Sequence, residues 1–235
     1  MKTKLTIFSL NLLALLGFSI SANATQINFT GGTVTLNNGS KQTTNNSSVW
    51  DNVDYYEEGG FKLDFISGGA GGFESIIGNY YGGGNDVIHG HWGTGNFGGL
   101  TKIKVTKLDN TAFDLNYFVL TSNTDRGGGL ASGNEKAFIH ASIDGITSSY
   151  SQLLPSENWG FPGTQIFLGS QFDNIKAFWF TAENKVDCFG MDSFFIDEPP
   201  PTSVPEPNST LTLLALGSLG AASSLNRKRN HSQSS

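Results

Sequence analysis

Short segments in which apolar and polar residues alternate recur along this chain, separated by clusters rich in Gly, Asn and Ser. In Phe61–Phe65, three apolar residues fall on one face and two charged residues on the other. Segments of the same kind include Thr101–Lys107, Ala112–Leu120, Ala137–Ile143 and Cys188–Ile196. A period of two is typical of half-buried β-strands, and no apolar stripe with helical spacing runs beyond about two turns. The pattern predicts an all-β body.

Turn-forming residues predict how some of these strands connect. Asp109-Asn110 favours a hairpin between Thr101–Lys107 and Ala112–Leu120. Gly31-Gly32 favours a second, smaller hairpin near the start of the body.

The number and spacing of the strands predict one domain. About ten short strands without an internal boundary favour a single antiparallel β-sandwich over residues 25–198. We expect a jelly roll, with another Greek-key order as the alternative. Residues 38–60 and 68–99 are expected to be long loops, where ligand contacts concentrate.

The N-terminus has the pattern of a secretory signal peptide. Two lysines precede the apolar stretch Leu5–Ile20, and Ala22 and Ala24 are the small residues of a cleavage site. We expect residues 1–24 to form a signal helix that signal peptidase removes. An uncleaved membrane anchor is the alternative, but the apolar stretch is short for a membrane span.

The C-terminus carries a second targeting pattern. A Pro-rich linker covers residues 199–208, an apolar segment that ends in a basic cluster covers 209–229, and a tail covers 230–235. Its distinctive residues are Pro205, Glu206 and Pro207 in the linker and Arg227, Lys228 and Arg229 in the basic cluster.

This order of linker motif, apolar helix and basic cluster resembles the PEP-CTERM sorting signal of Gram-negative bacteria. The resemblance implies that an exosortase recognises Pro205-Glu206-Pro207, cleaves nearby and releases the body to the cell surface or extracellular matrix. Until then the apolar segment would hold the chain as a transmembrane helix, with the basic cluster on the cytoplasmic side. A simple single-span anchor is the alternative.

The net charge limits the classes of partner, and the cysteine content excludes an internal disulfide. The net charge is −6 overall, and residues 25–204 carry 9 Lys and Arg against 19 Asp and Glu, which gives that segment −10. This balance argues against nucleic acid as a partner. Cys188 is the single cysteine, so the chain has no internal disulfide, and its apolar neighbours predict a buried, unreactive thiol.

Two groups of residues are candidate metal ligands. If the first and last strands of the sandwich are neighbours, Glu57 or Glu58 and Asp192 can meet over a structural Ca²⁺. His89 and His91 fall on one face of a strand and can share Zn²⁺ or Cu²⁺ if His140 or Asp86 supplies a further ligand. For the two histidines, a solvated loop is the reading that we favour.

Aromatic residues in Gly-rich segments are the candidate ligand contacts. These residues are Tyr80, Tyr81, Trp92 and Trp159. Aromatic faces stack on the apolar C–H surface of sugar rings, although rings in such positions also commonly close off a core.

The body itself resembles the jelly-roll modules that precede PEP-CTERM tails and that are used for carbohydrate binding. The residues that carry this resemblance are Tyr56–Phe61, Phe113–Leu115 and Phe189–Phe194. The resemblance and the tail imply an exported, non-catalytic protein that associates with extracellular polysaccharide. The alternatives are a surface polysaccharide hydrolase and a purely structural matrix protein. We assign no catalytic residue, because no nucleophile motif or fixed pair of carboxylates is recognisable.

Overall fold

The computed structural model describes residues 24–68, 75–95, 98–183 and 186–198. The chain divides into two units, residues 1–198 and 199–235, and all described residues belong to the first. The predicted signal helix, except Ala24, lies outside the described residues, as do the linker, sorting motif, C-terminal helix and tail. No helix with the length and apolar character of a membrane span occurs in the described part of the chain.

The described residues form an all-β body. It contains 15 strands and one short 3-10 turn at Ser170–Phe172. The strands are β1 (Thr25–Ile27), β2 (Thr33–Leu36), β3 (Lys41–Thr43), β4 (Val49–Asp51), β5 (Val53–Glu58), β6 (Phe61–Ser67), β7 (Ser75–Gly78), β8 (Val87–His91), β9 (Leu100–Lys107), β10 (Leu115–Thr124), β11 (Lys136–Ser142), β12 (Tyr150–Leu153), β13 (Thr164–Phe167), β14 (Ala177–Glu183) and β15 (Cys188–Ile196).

Two antiparallel sheets form a sandwich. The first sheet has seven strands in the order β13-β10-β15-β8-β7-β4, and β1 pairs with the end of β15 beyond the part that β8 occupies. The second sheet has eight strands in the order β12-β11-β14-β9-β6-β5-β2-β3. The antiparallel sandwich predicted from the alternating pattern is confirmed.

The core between the sheets is rich in phenylalanine. Phe194 on β15 lies with its ring centroid 5.2 Å from that of Phe178 on β14 and 5.5 Å from that of Phe29. Phe180 contacts Phe118 at 5.4 Å between centroids. All of these rings are fully buried, and mostly edge-to-face contacts of this kind stabilise a core beyond the apolar area they remove from water.

Both predicted hairpins are wrong, because the chain crosses between the sheets at each turn. β9 pairs with β6 and β14 in the second sheet, whereas β10 pairs with β13 and β15 in the first. Likewise β1 pairs with β15, and β2 pairs with β3 and β5. The turn residues are present, since Asn110 has φ +58° and Gly31 has φ +83°. Such turns reverse the chain without deciding which sheet receives the next strand.

Residues 38–60 and 68–99, expected to be long loops, contain five of the strands. β3, β4 and β5 lie in the first segment, and β7 and β8 lie in the second. Strand β7 is buried along its whole length, and β8 is buried from Val87 to Gly90. Strands buried on both faces do not show the alternation that marks a half-buried strand, which explains why the sequence pattern missed β7 and β8.

Candidate functional site

The outer face of the first sheet carries three distinctive side chains on neighbouring strands. Ile88 of β8 and Phe189 of β15 belong to the core between the sheets. Because side chains alternate along a strand, His89, His91 and Cys188 lie on the opposite, outer face. β8 and β15 are paired so that Cys188 lies across from His91.

These three side chains are buried or nearly so, although they are on the outer face. One nitrogen of each imidazole and the thiol sulfur all lie within 4.8 Å of one another. Burial lowers the pKa of His89 well below its usual value and also lowers that of His91. Burial and the nearby Asp187 raise the pKa of the Cys188 thiol to about 12. All three groups are therefore uncharged near neutral pH.

An aromatic cluster covers part of this face. It consists of Tyr80, Tyr81, Trp159 and Phe161. Tyr81 is at its centre, with ring centroids 4.7 Å from Trp159, 5.4 Å from Tyr80 and 5.5 Å from Phe161. Phe161 is 44% exposed, while the other three rings are half-buried. The cluster thus presents apolar ring surface to solvent.

The turn between β7 and β8 positions the two tyrosines. Gly82, Gly83 and Gly84 all have positive φ, at +78°, +87° and +77°. Residues with a Cβ rarely adopt this conformation, so the three consecutive glycines are needed for the chain to turn back. Asn79 fixes the start of the turn, because its side-chain oxygen accepts a hydrogen bond from the Gly84 N–H at 3.2 Å.

Backbone hydrogen bonds to β10 and its neighbouring loop position the other half of the cluster. The N–H and C=O groups of Glu157 and Asn123 pair with each other at 3.0 Å. Two residues later the Trp159 N–H donates to the Gly129 carbonyl at 3.1 Å, and the Gly160 N–H donates to the Thr121 carbonyl at 2.9 Å. Trp159 and Phe161 are therefore held on a segment that is anchored to the first sheet.

Three of the four aromatic residues predicted to contact ligand come together in this cluster, and Trp92 does not. The Trp92 side chain is 1% exposed and packs on Phe189, with 5.5 Å between ring centroids. Of the two interpretations of Trp92, a ligand contact or a ring that closes off the core, its burial fits the second. Trp92 directly follows β8 and lies four residues after Ile88. Because side chains alternate along an extended chain, both point to the same face, and the Trp92 indole lies in the core.

The carboxylates predicted to hold Ca²⁺ are not brought together as a group of metal ligands in the described residues. Glu58 on β5 accepts hydrogen bonds from the Phe29 N–H at 2.8 Å and from the Tyr56 hydroxyl at 3.0 Å. Asp192 on β15 accepts one from the Asn85 side chain at 2.6 Å. Hydrogen-bond donors already use part of the acceptor capacity of both carboxylates. Glu57 lies beside Glu58 on β5, in the other sheet from Asp192.

The two residues considered as further ligands for the histidine pair lie elsewhere. Asp86 is fully buried and accepts hydrogen bonds from the Asn46 N–H at 2.8 Å and from the Thr30 hydroxyl at 3.1 Å. His140 is on β11 of the second sheet, where its ring nitrogens lie 2.6 Å from the Ser151 hydroxyl and 2.8 Å from that of Thr181. Neither residue takes part in the group formed by His89 and His91.

Sequence reasoning missed Cys188 and Phe161. Cys188 was expected to be buried, and it is, but its register opposite His91 depends on strand pairing that the sequence does not reveal. Phe161 follows Trp159 at a spacing of two in a Gly-rich segment. That spacing was a usable signal for a second ring on the same side of the chain.

Comparisons with known proteins identify the C-terminal tail. Residues 203–228 match the model of the PEP-CTERM protein-sorting motif, so the predicted sorting signal is confirmed. This motif implies export, processing by exosortase and passage via the membrane to the cell surface. No curated protein matches the chain. Among solved structures, the K1 cleaved adhesin domain of Lys-gingipain from Porphyromonas gingivalis W83 is similar, with a TM-score of 0.39 and 14% identity over 74% of this chain and 96% of that chain.

Proposed function

We propose that this carrier of a PEP-CTERM motif is a non-catalytic surface protein of a Gram-negative bacterium whose β-sandwich associates with extracellular polysaccharide. In this proposal signal peptidase removes residues 1–24, and the C-terminal segment 209–229 holds the chain as a transmembrane helix. Exosortase then cleaves near Pro205-Glu206-Pro207 and releases the body to the surface or extracellular matrix. The matched motif supports the route, and the aromatic cluster supports the association.

The exposed part of the aromatic cluster is the observation that carries polysaccharide association. Trp159 and Phe161 are anchored by backbone hydrogen bonds of their segment to β10 and the loop that follows it. Rings that are already held in place lose little conformational freedom on binding, which favours affinity. Their faces provide apolar surface for the C–H groups of a sugar ring. The exposed Asn158, which directly precedes Trp159 in the chain, offers amide donors and acceptors to the sugar hydroxyl groups.

The charge of the body indicates which polysaccharides suit this surface. Residues 25–204 carry a net charge of −10, so long-range repulsion disfavours strongly anionic polymers. We therefore propose a neutral polysaccharide as the ligand of the cluster.

We also propose that the sandwich is a jelly roll. The chain passes repeatedly between the sheets, since β8, β10, β13 and β15 lie in the first and β9, β11, β12 and β14 in the second. A jelly roll joins two antiparallel sheets through two Greek keys, so repeated crossing of this kind supports the proposal.

The environment of three acidic side chains, of which Asp86 and Glu135 are buried and Glu58 is half-buried, supports a non-catalytic body. Glu58, Asp86 and Glu135 each accept hydrogen bonds from backbone N–H and hydroxyl groups near them. These contacts are those of carboxylates that hold loops in place. A glycoside hydrolase instead needs two carboxyl groups that face each other across a sugar.

Affinity electrophoresis of the full chain in gels that contain neutral polysaccharides tests the association. We expect wild-type migration to be retarded and the Trp159→Ala/Phe161→Ala variant to lose about tenfold in affinity, as expected for about 1–2 kcal/mol of lost ring contact. Phe167→Ala is the matched control, because Phe167 is 67% exposed and packs on Tyr117, outside the aromatic cluster. An equal loss of affinity in the control would show that the aromatic cluster is not the binding site. No retardation with any polysaccharide would leave the structural matrix role.

A further inference from the structure

We propose that His89, His91 and Cys188 form a Zn²⁺-binding site on the outer face of the first sheet. None of the three proposed ligands belongs to the aromatic cluster, although Tyr80 and Tyr81 of that cluster contact His89.

Strand pairing sets the geometry of the site. Cys188 pairs with His91 and Gly190 pairs with His89, so one strand supplies two imidazoles and its neighbour supplies the thiol. Cys188 Sγ lies 3.6 Å from Nδ1 of His91, and a nitrogen of His89 completes a group within 4.8 Å. Ligand atoms around a tetrahedral Zn²⁺ lie roughly 3.3–3.8 Å apart. One contact already has this length, and binding requires the His89 nitrogen to move closer to the other two atoms by up to about 1.5 Å.

His89 supplies the independent observation that a ligand is missing. Its side chain is fully buried, and Nδ1 lies 2.9 Å from the Tyr81 hydroxyl. The other nitrogen, Nε2, is buried with no hydrogen-bond partner among the described residues. A buried polar atom without a partner costs free energy. If Nδ1–H donates to the Tyr81 oxygen, Nε2 presents a bare lone pair, which is the arrangement of a metal-bound histidine whose second nitrogen is fixed by a hydrogen bond.

Aromatic rings cover His89, and Gly190 leaves space beside it. The ring of Tyr80 stacks on His89, and the half-buried Tyr81 covers Gly190. Any side chain at position 190 would collide with the Tyr81 hydroxyl and come within 3.1 Å of His89 Nδ1. Glycine at this position therefore keeps open the space beside His89.

The donor set selects the metal. Two imidazole nitrogens and one thiolate sulfur suit a borderline-soft ion such as Zn²⁺, whereas Ca²⁺ and Mg²⁺ require oxygen ligands. Binding replaces the thiol proton of Cys188 with the metal, and the proton passes to solvent. A fourth position remains for water or for the Asp187 carboxylate, whose Oδ1 lies 3.7 Å from His91 Nδ1.

Metal analysis of the purified full chain tests the site. The protein is stripped with a chelator, dialysed against Zn²⁺ with a phosphine reductant, and its metal content is measured by mass spectrometry. We expect one Zn²⁺ per chain in the wild type and less than about a tenth of that in Cys188→Ser and His89→Gln. His140→Gln is the matched control, because His140 lies on the second sheet, and it keeps the full Zn²⁺ content. A wild type without Zn²⁺, or a Cys188→Ser variant that retains it, would overturn the proposal.

Two measurements on the wild type keep the proposal testable if a variant fails to fold. Co²⁺ in place of Zn²⁺ is expected to give a thiolate-to-cobalt charge-transfer band in the near ultraviolet, which requires a bond to the single cysteine. Zn²⁺ at about a hundredfold above its dissociation constant is expected to raise Tm by about 5–10 °C. A Co²⁺ complex without the charge-transfer band, or identical melting with Zn²⁺ and with chelator, would contradict the site.

Discussion

The ring of Tyr80 stacks on the imidazole of His89, with 4.6 Å between ring centroids and 29° between ring planes. This contact joins the aromatic cluster to the buried face beneath it. Tyr81 makes the same connection from the side, since its hydroxyl lies 2.9 Å from Nδ1 of His89. One loop, the turn between β7 and β8, thus both offers ring surface to solvent and covers His89 in the group of His89, His91 and Cys188.

Replacing Gly190 with alanine is expected to displace Tyr81. A Cβ at this position would overlap the Tyr81 hydroxyl and approach the Thr121 hydroxyl to 2.9 Å. We expect Gly190→Ala to lower the free energy of unfolding by about 1–3 kcal/mol through overpacking and to change the near-ultraviolet circular dichroism of the tyrosines. In Gly93→Ala, the control, the added Cβ has no neighbour nearer than 3.6 Å, so it melts close to the wild type. Equal melting temperatures of the two variants would show that the Tyr81 hydroxyl is not packed tightly against Gly190 of β15.

The hydroxyl of Tyr56 is expected to stabilise the edge of the second sheet that β5, β2 and β3 form. It accepts a hydrogen bond from the Gly32 N–H at 3.1 Å, donates one to Glu58 at 3.0 Å and lies 3.2 Å from the Thr44 hydroxyl. Tyr56→Phe leaves these buried groups without their common partner, so we expect a loss of about 1–3 kcal/mol in denaturant unfolding.

Tyr55→Phe is the matched control for this prediction. Tyr55 is half-buried, and Lys62 Nζ lies 4.3 Å from the centre of its ring, a contact that phenylalanine keeps. We expect this variant to unfold like the wild type. A Tyr56→Phe variant as stable as Tyr55→Phe would mean that water replaces the lost hydroxyl.

Glu135 is expected to make stability depend on acid pH. Burial acts to raise its pKa, but hydrogen bonds from Ser156 at 2.5 Å and from Ser132 at 2.6 Å outweigh burial and lower the pKa to about 2. Because the pKa is lower in the folded state, the ionised carboxylate stabilises the fold above its unfolded pKa, and this contribution is lost as pH falls from about 5 to about 2.

Glu135→Gln tests this contribution, because the NH₂ group of the glutamine side chain would face the N–H and O–H donors of Ser132 and Ser156. We expect the variant to be less stable by about 1–3 kcal/mol at pH 7 and to show a shallower loss of stability in acid. Glu183→Gln makes the same change at an exposed position and is expected to follow the wild-type profile. If Glu135→Gln kept the full acid dependence, the dependence would come from other carboxylates.

The sequence was sufficient where a strand has one buried and one outward face. The predicted segment Thr101–Lys107 lies within β9, whose burial alternates, and Ala137–Ile143 lies within one residue of β11 at each end. In β10 the alternation breaks, because a register shift separates Leu115 from Tyr117. Leu115 faces the core, whereas Tyr117 stacks on Phe195 with 4.0 Å between ring centroids. A bulge adds one residue and reverses which face the later side chains occupy, and the sequence pattern does not mark its position.

The candidate site depends on pairing between distant strands, which local patterns do not contain. Seen in the sequence, His89 and His91 form a pair without a third ligand, and Cys188 lies 97 residues beyond His91. The register of β8 against β15 brings the three together. The aromatic residues were easier to predict, because rings in Gly-rich segments fall in turns, but only the fold shows that Trp92 turns inward while Trp159 stays at the surface.

Export and sorting through the tail are tested most directly by changing Glu206 to alanine and following the chain through cell fractionation and mass spectrometry. We expect the wild-type body to be released from the membrane after cleavage near Pro205-Glu206-Pro207, and the Glu206→Ala chain to stay membrane-bound with its C-terminus intact. Glu198→Ala, a matched change outside residues 203–228, is expected to be released normally. Release of Glu206→Ala at the wild-type level and size would contradict sorting by exosortase.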